Sequence, residues 1–88
     1  MIEIWGKPNC TFCDQAKSLC EKRELKYTYK ILGKDFTREE ILEEFPNART
    51  FPQIKINGNS IGGFTELSTL DRQKKLRVLL EKNDPTET

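Results

Sequence analysis

The chain has 88 residues, with 15 Lys or Arg against 14 Asp or Glu, and so carries a net charge of +1. This length suits a single domain, and the interspersed charges argue against nucleic acid or an anionic membrane as the main partner. No apolar run reaches the roughly 18 residues that span a bilayer, and the N-terminus lacks the pattern of a signal peptide, so we expect a cytoplasmic protein. In that compartment, three cysteines indicate redox chemistry or metal binding rather than a disulfide framework.

A strand, a helix and a second strand are predicted in the first third of the chain. Met1 to Trp5 alternates in polarity and predicts a short strand that Gly6 closes. From about Thr11 to Arg23 the pattern becomes helical, with an apolar stripe. Leu25 to Ile31 alternates again and predicts the second strand, parallel to the first because a helix joins them. The stripe of the helix consists of Phe12, Cys13, Ala16, Leu19 and Cys20.

A second helix is predicted after the turn formed by Gly33-Lys34-Asp35. Thr37 and Glu40 have the spacing of a capping box, in which each side chain bonds the other residue's backbone N–H. Phe36 and Ile41 have the spacing of the hydrophobic staple that accompanies such a box. The positions expected to face the core are Ile41, Leu42 and Phe45.

A β-hairpin is predicted next. Pro52 opens a third strand, Gln53 to Ile56, and Asn57-Gly58 is typical of a two-residue type I′ turn because both residues tolerate a positive φ. The return strand is Asn59 to Ile61.

The last predicted element is a helix from about Thr65 to Lys82, which follows Gly62-Gly63. Asn83 to Thr88 is polar and is expected to form a flexible tail. The predicted order is therefore β-α-β-α-β-β-α, in one domain that spans residues 1–82.

Cys10 and Cys13 lie at the turn from the first strand into the first helix. Three residues apart on a helical turn, their Cα atoms are roughly 5–6 Å apart, within the span of a disulfide. Cys-x-x-Cys beside a strand–helix–strand unit is a thioredoxin-like redox motif. The alternative is half of a zinc site, but zinc usually takes four Cys or His ligands, and this chain has three Cys and no His. We predict that Cys10 attacks and that Cys13 resolves the mixed disulfide.

Position also sets the expected state of each thiol. Cys10 lies where helical N–H groups and the helix dipole favour a thiolate, which lowers a cysteine pKa from about 8.5 to roughly 3.5–7.5, and Lys7 is the nearest candidate cation. Cys20 lies seven residues beyond Cys13, about 10.5 Å along the helix, which is too far for a disulfide. We predict that Cys20 is a buried structural thiol, with a regulatory thiol as the alternative.

Three motifs in register resemble the glutaredoxin family, and in particular its small bacterial and bacteriophage members. They are Lys-Pro-x-Cys-x-x-Cys from Lys7, then Thr50-Phe51-Pro52, then Gly62-Gly63-Phe64-Thr65-Glu66. The resemblance covers residue 1 to about residue 82. It implies a thioredoxin-like α/β fold with a four-stranded mixed sheet flanked by helices. It also implies a glutathione-dependent thiol–disulfide oxidoreductase, which we expect to be a cytoplasmic monomer.

The resemblance further implies a glutathione site beside Cys10. A cis Pro52 would face the dithiol and leave the backbone of Phe51 free to pair with an extended cysteinyl peptide. The last helix would offer N–H groups to the γ-glutamyl carboxylate, and Glu66 could hold the γ-glutamyl ammonium, whereas Thr65 could instead serve only as the N-cap. Lys7 and Arg49 are candidate partners of the carboxylates, although each could be an ordinary solvated charge. The implied glutathione-binding residues are Lys7, Phe12, Arg49, Thr50, Phe51, Pro52, Gly63, Phe64, Thr65 and Glu66.

Two departures from the family pattern leave alternatives open. Thr11 stands where the commonest motif has proline, and some relatives without that proline bind a 2Fe–2S cluster between two subunits, so a cluster carrier is the alternative function. Phe12 stands where many relatives have tyrosine and lacks the hydroxyl. Otherwise no metal is expected. The partners implied are glutathione and disulfide-containing or glutathionylated proteins, with ribonucleotide reductase as an expected target. A thioredoxin is disfavoured because the Trp-Cys-Gly-Pro-Cys run is absent.

Overall fold

The computed structural model describes residues 1–46, 48 and 50–81 of the chain. Within these residues the elements are β1 (Ile2–Gly6), α1 (Thr11–Lys22), β2 (Tyr27–Ile31), α2 (Arg38–Glu44), β3 (Gln53–Ile56), β4 (Asn59–Gly62), α3 (Phe64–Arg72) and α4 (Leu76–Glu81). The predicted contact residue Arg49 and the predicted tail, Asn83–Thr88, lie outside the described residues. In the described part of the chain, no helix is both long and apolar enough to cross a membrane.

The strands form a mixed sheet in the order β2-β1-β3-β4. β1 pairs with β2 in parallel and with β3 antiparallel, and β4 pairs with β3 antiparallel. The parallel pair confirms the interpretation of the first third of the chain as a strand–helix–strand unit. The architecture confirms the predicted α/β fold class.

Helices cover both faces of the sheet. β1 contributes to the packing on both faces, because successive side chains of a strand point to opposite faces. On one face, Ile2 and Ile4 pack in a cluster with Ala16 of α1 and Leu67 of α3. On the other face, a second buried cluster consists of Trp5, Phe36, Ile41 and Phe45. β1 is thus held between two apolar layers, and the chain leaves it at Gly6 to enter the Cys10–Cys13 turn.

The two edges of the sheet differ from its buried centre. At one edge, Thr28 of β2 is exposed and Lys26 is exposed just before the strand begins. At the other edge, β4 has only four residues, and its register with β3 shifts between Ile54 and Lys55. The β4 edge is therefore short and irregular, and the β2 edge carries polar side chains.

The structure confirms the elements that local signals predicted. Thr37 and Glu40 form the capping box: the Thr37 N–H donates to Glu40 Oε1 at 2.8 Å, and the Glu40 N–H donates to Thr37 Oγ1 at 3.1 Å. Asn57 and Gly58 have φ values of 51° and 86°, as a type I′ turn requires.

The single helix predicted from Thr65 to Lys82 is wrong, because the chain forms α3 and α4 with a turn between them. Lys74 has φ of 59°, and its N–H donates to the carbonyl of Asp71 at 3.0 Å, while the Lys75 N–H donates to the carbonyl of Leu70 at 2.9 Å. These two bonds are the Schellman motif that ends α3. The turn brings Leu76, six residues after Leu70, into the core, which a continuous helix would not do.

Two apolar residues that were assigned to buried helix faces are exposed. Leu42 of α2 is 51% exposed, because Ile41 and Phe45 already fill the narrow inward face of this seven-residue helix. Phe12 of α1 is 58% exposed, because Cys13 and not Phe12 faces the core. Phe12 instead stands at the rim of the candidate site described below.

Candidate active site

Cys10 and Cys13 are joined by a disulfide whose Cα atoms are 5.2 Å apart, within the predicted span. Cys10 is the N-cap of α1, and the N–H of Cys13 donates to Cys10 Sγ at 3.1 Å. The Cys10 sulfur is therefore already placed at the donor-rich start of a helix. In the reduced protein this position favours a negative charge on that sulfur.

The two cysteines differ in exposure. Cys10 is 9% exposed and Cys13 is 0% exposed. Cys10 is less open than the sequence indicated, because its side chain turns back toward Cys13 to cap the helix. Cys10 is nonetheless the more exposed of the two residues, which is the order that the predicted attacking and resolving roles require.

A groove of about 350 Å³ lies beside the first turn of α1. Three segments distant in sequence form it: the start of α1, the loop before β3, and the start of α3. Its walls are formed by Phe12, Thr50, Phe51, Pro52, Gly63, Phe64, Thr65 and Glu66. All of these were among the residues for which the sequence implied glutathione contacts, and that contact remains a prediction.

The walls of the groove are aromatic and closely fitted. The rings of Phe12 and Phe64 are stacked, with centroids 6.1 Å apart. The Phe51–Pro52 peptide bond is cis, as the resemblance implied. A β-carbon at Gly63 would lie 3.1 Å from the Pro52 carbonyl oxygen, so the absence of a side chain at Gly63 lets the start of α3 approach the proline loop.

The start of α3 supplies the polar groups of the groove. Gly63 is the N-cap, and Glu66 Oε1 accepts the Gly63 N–H at 2.7 Å. The expectation that Thr65 could be the N-cap is wrong, because Thr65 already lies inside the first turn. Since glycine has no side-chain oxygen, it leaves the first-turn N–H groups of α3 to solvent or to a ligand.

Of the two predicted cations, Lys7 lies close to the groove. Lys7 is exposed, and its Nζ lies 5.9 Å from the centroid of the Phe51 ring, within the range of a cation–π contact. Lys7 thus stands close to the groove although it does not line it. Arg49 lies outside the described residues.

Cys20 is buried as predicted. It is 0% exposed, and its burial, with a smaller effect from the charge of Glu21, raises its pKa to about 11. A thiol in this state is a poor nucleophile at neutral pH. In the described residues, no group of three Cys, His, Asp or Glu side chains converges on a point that could hold a metal ion.

Tyr29 is a neighbour of the dithiol to which the sequence analysis gave no role. A β-carbon built on Gly6 would lie 3.0 Å from the Tyr29 hydroxyl oxygen and 3.1 Å from Cys13 Sγ. The phenol and the sulfur therefore border one small gap, which stays open because residue 6 is glycine. The alternation of β2 could have placed Tyr29 on the α1 side of the sheet, but not at this height along the helix.

A larger cavity, of about 410 Å³, lies at the C-terminal ends of α1 and α3. Its walls include Arg23 and Asp71, which form an ion pair with Nε and Oδ1 2.9 Å apart. None of its lining residues borders the groove, and neither cysteine of the disulfide is among them. The disulfide lies instead at the start of α1, beside Phe12 of the groove, so this cavity is remote from the two sulfurs.

Comparison with known proteins shows which family the sequence is similar to. A family model described as "Glutaredoxin" matches residues 2–61. A probable glutaredoxin of Synechocystis is 38% identical over 80 residues, which cover 90% of this chain and 73% of that protein. Glutaredoxin 1 of Rickettsia bellii is 33% identical over 84 residues, covering 91% of this chain and 86% of that protein. The chain spans 52% of the mitochondrial glutaredoxin-2 of Pongo abelii, with 30% identity over 86 residues, covering 92% of this chain.

Solved structures agree on the fold. The solution structure of a glutaredoxin from Brucella melitensis has a TM-score of 0.78 and 29% identity, covering 94% of this chain and 90% of that chain. The crystal structure of a buckwheat glutaredoxin–glutathione complex has a TM-score of 0.79 and 24% identity, covering 92% and 76% of the two chains.

Proposed function

The chain belongs to the glutaredoxin family of thiol–disulfide oxidoreductases, with the Cys10-x-x-Cys13 pair of its dithiol members, and we propose that glutathione is its reductant. The observation that carries this proposal is the groove beside the disulfide, which is lined by residues of all three family motifs. Its volume suits a small ligand. The buckwheat protein that shares this fold was solved with glutathione.

We expect each polar end of glutathione to have a partner in the groove or beside it. The backbone of Phe51 would pair with the cysteinyl residue of the tripeptide as an added strand. The first-turn N–H groups of α3 would take the γ-glutamyl carboxylate, and Glu66 would take the γ-glutamyl ammonium. Lys7 and Arg49 would attract the glycyl carboxylate. In this arrangement the glutathione sulfur would face Cys10.

With a glutathionylated substrate, Cys10 acts alone. Its thiolate attacks the sulfur of the glutathione moiety, and the substrate thiolate leaves. The resulting Cys10–glutathione disulfide is then attacked by a second glutathione. Glutathione disulfide leaves, and the Cys10 thiolate is restored.

With a protein disulfide, both cysteines act. Cys10 forms a mixed disulfide with the target, and Cys13, one helical turn away, attacks Cys10 Sγ and releases the reduced target. Two glutathione molecules then reduce the Cys10–Cys13 disulfide. The targets that we propose are cytoplasmic disulfide-containing or glutathionylated proteins, with ribonucleotide reductase among them on the strength of the family resemblance.

A pair of serine variants tests these roles. Cys13→Ser should retain the reduction of a small glutathione mixed disulfide and lose most reduction of a protein disulfide, because only the second reaction needs a resolving thiol. Cys10→Ser should abolish both reactions. Both rates are measured with glutathione as the sole reductant. Equal losses from the two substitutions would contradict the assigned roles, and a wild-type protein that glutathione cannot reduce would contradict the proposed reductant.

A further inference from the structure

We propose that Tyr29 is a positioning residue of the dithiol, whose hydroxyl donates a hydrogen bond to the Cys13 sulfur in the reduced protein and so favours the Cys13 thiolate in the resolving step. The proposal rests on the dithiol route of the proposed function and not on glutathione as the reductant.

The fold places the phenol next to the sulfur. Tyr29 lies opposite Ile4 in the parallel β1–β2 register and packs at the border of the same cluster as Ile4, on the α1 side of the sheet. Its hydroxyl oxygen and Cys13 Sγ both lie about 3 Å from the position that a β-carbon of Gly6 would occupy. When the disulfide opens, the Cys13 sulfur separates from Cys10. The gap over Gly6, which the Cys13 sulfur already borders, gives it room to move toward the Tyr29 hydroxyl.

The two sulfurs have different support from the backbone. Cys10 Sγ accepts the N–H of Cys13 at 3.1 Å, whereas among the described residues no hydrogen bond reaches Cys13 Sγ. Cys13 is also 0% exposed, so water does not stabilise its thiolate. A buried thiol without a donor has a raised pKa and attacks slowly at neutral pH. A hydroxyl at the same gap supplies the missing donor.

The surroundings of Tyr29 keep its hydroxyl protonated. Burial, with a smaller effect from the charge of Asp14, raises the pKa of Tyr29, so the phenol remains a donor at neutral pH. Among the described residues, the charged groups found to act on Tyr29 are Asp14 and Lys17 of α1, and Lys17 Nζ lies 5.5 Å from the ring centroid. β1 contributes Gly6 at this point and therefore no charge.

The step that Tyr29 assists is an exchange without net oxidation. The Cys13 thiolate attacks Cys10 Sγ in the mixed disulfide, the Cys13–Cys10 bond forms, and the bond from Cys10 to the target sulfur breaks. The target sulfur leaves with the electron pair and takes a proton from water. The Tyr29 hydroxyl holds the Cys13 thiolate before attack and is not consumed.

Tyr29→Phe tests the proposal, with Tyr27→Phe as the matched control. Tyr27 is two residues earlier on the same face of β2, but its hydroxyl donates to Glu21 Oε2 at 2.8 Å, toward the far end of α1. The first measurement is the Cys13 thiol pKa in a Cys10→Ser background, read from thiolate ultraviolet absorbance. Tyr29→Phe should raise that pKa by about one unit, as expected for the loss of one hydrogen bond to a charged group, and Tyr27→Phe should leave it unchanged.

The second measurement separates positioning from structure. In the protein with both cysteines, Tyr29→Phe should slow the release of a reduced protein target about threefold, because tenfold less thiolate is partly offset by higher nucleophilicity. The Cys10-only reaction with a small mixed disulfide should stay unchanged. An unchanged Cys13 pKa in Tyr29→Phe, or equal slowing of both reactions, would overturn the proposal. Because the pKa is read without glutathione, failure of glutathione as the reductant would not be mistaken for failure of this inference.

Discussion

Cys20 lies on the buried face of α1, in the same cluster as Ile2 and Ile4 of β1, and its thiol is kept protonated by its surroundings. Its pKa is raised from 9.0 to about 11, mainly because burial penalises the thiolate. Cys10 is only two to three helical turns away, yet its sulfur accepts a backbone N–H. Cys10 and Cys20 thus differ in chemistry because they differ in burial and in their position along α1.

The raised pKa of Cys20 predicts an alkaline loss of stability. Well below pH 9 the thiol is protonated in the folded and the unfolded chain, so its contribution to the free energy of unfolding is constant. Between about pH 9 and 11 the unfolded chain releases the proton first, so the free energy of unfolding falls as pH rises, by up to roughly 2–3 kcal/mol. Urea unfolding of the oxidised protein at several pH values should record this decline.

Cys20→Ala is the control for that decline. The variant should be less stable at every pH because it leaves a cavity, but the part of the decline that begins near pH 9 should be absent. The tyrosines Tyr27 and Tyr29 also have raised pKa values, so a further decline above about pH 10 should persist in both proteins. Identical pH profiles for the two proteins would contradict the assignment to Cys20.

At the scale of one element, signals confined to a few residues were sufficient to predict a helix start and a hairpin turn. The capping box of Thr37 and Glu40 and the turn at Asn57-Gly58 were both predicted, because the residues that decide them are at most three positions apart. The division of the last helix was not predicted, because the polar residues around Lys74 fit the exposed face of a longer helix equally well. The six-residue spacing from Leu70 to Leu76 was the available signal, since it does not fit one helical stripe.

The end of α3 offers a test of that division. Lys74 adopts φ of 59°, a conformation that costs a residue with a side chain more than it costs glycine. Lys74→Gly should therefore raise the free energy of unfolding by about 0.5–1 kcal/mol, after allowance for the greater freedom of glycine in the unfolded chain. Urea unfolding measures the change.

Gln73→Gly is the matched control, because Gln73 has φ of −82° at the adjacent position. Glycine there relieves no left-handed conformation and should lower stability by a few tenths of a kcal/mol to about 1 kcal/mol. If both substitutions changed stability in the same direction, the left-handed conformation of Lys74 would not be the reason for the change in stability.

Glu66 combines a structural and a proposed binding role at the start of α3. Glu66→Gln retains an oxygen for the Gly63 N–H but loses the charge that would hold the γ-glutamyl ammonium. We expect the KM for a glutathione mixed disulfide to rise about two- to fivefold with little change in thermal stability. Glu40→Gln makes the same substitution at the equivalent position of α2, where Glu40 Oε1 likewise accepts the N–H of the N-cap residue, and it should leave KM unchanged because it lies away from the groove. Equal KM values for the two variants would contradict the binding role.

At the scale of the whole molecule, the groove depends on segments that are far apart in the chain. Thr50-Phe51-Pro52 and Gly63-Phe64 were identified because their family motifs appear in register, and the structure brings them together with Phe12. The neighbourhood of Tyr29 was not predicted, because it depends on the β1–β2 register and on the height at which α1 crosses the sheet. Long-range packing of this kind leaves no local pattern in the sequence.

Asn57 ties the hairpin to the last helix. Its Nδ2 donates to the carbonyls of Leu80 at 2.9 Å and Leu79 at 3.3 Å, and its Oδ1 accepts the Met1 amino group. Asn57→Asp keeps the acceptor but loses both donors and sets a carboxylate against two carbonyl oxygens. We expect the free energy of unfolding to fall by about 1–3 kcal/mol in urea titrations at neutral pH.

Asn59→Asp is the control for the Asn57 prediction. Asn59 is exposed at the start of β4, on the other side of the same turn, so the variant adds the same charge without breaking that link. Its stability should stay within about 0.5 kcal/mol of the wild type. Equal losses from both variants would mean that charge alone, rather than the bonds to α4, is responsible.

The form of the sheet edges bears on the risk of aggregation. An exposed edge strand offers unpaired backbone groups to any other chain, and sheet proteins limit that risk with short strands, irregular pairing and flanking lysines. β4 is four residues long and pairs irregularly with β3, while Lys26 precedes β2 and Lys30 lies within it. The chain can therefore keep an open, partly aromatic groove on one side without presenting a long, flat strand on which fibrils could grow.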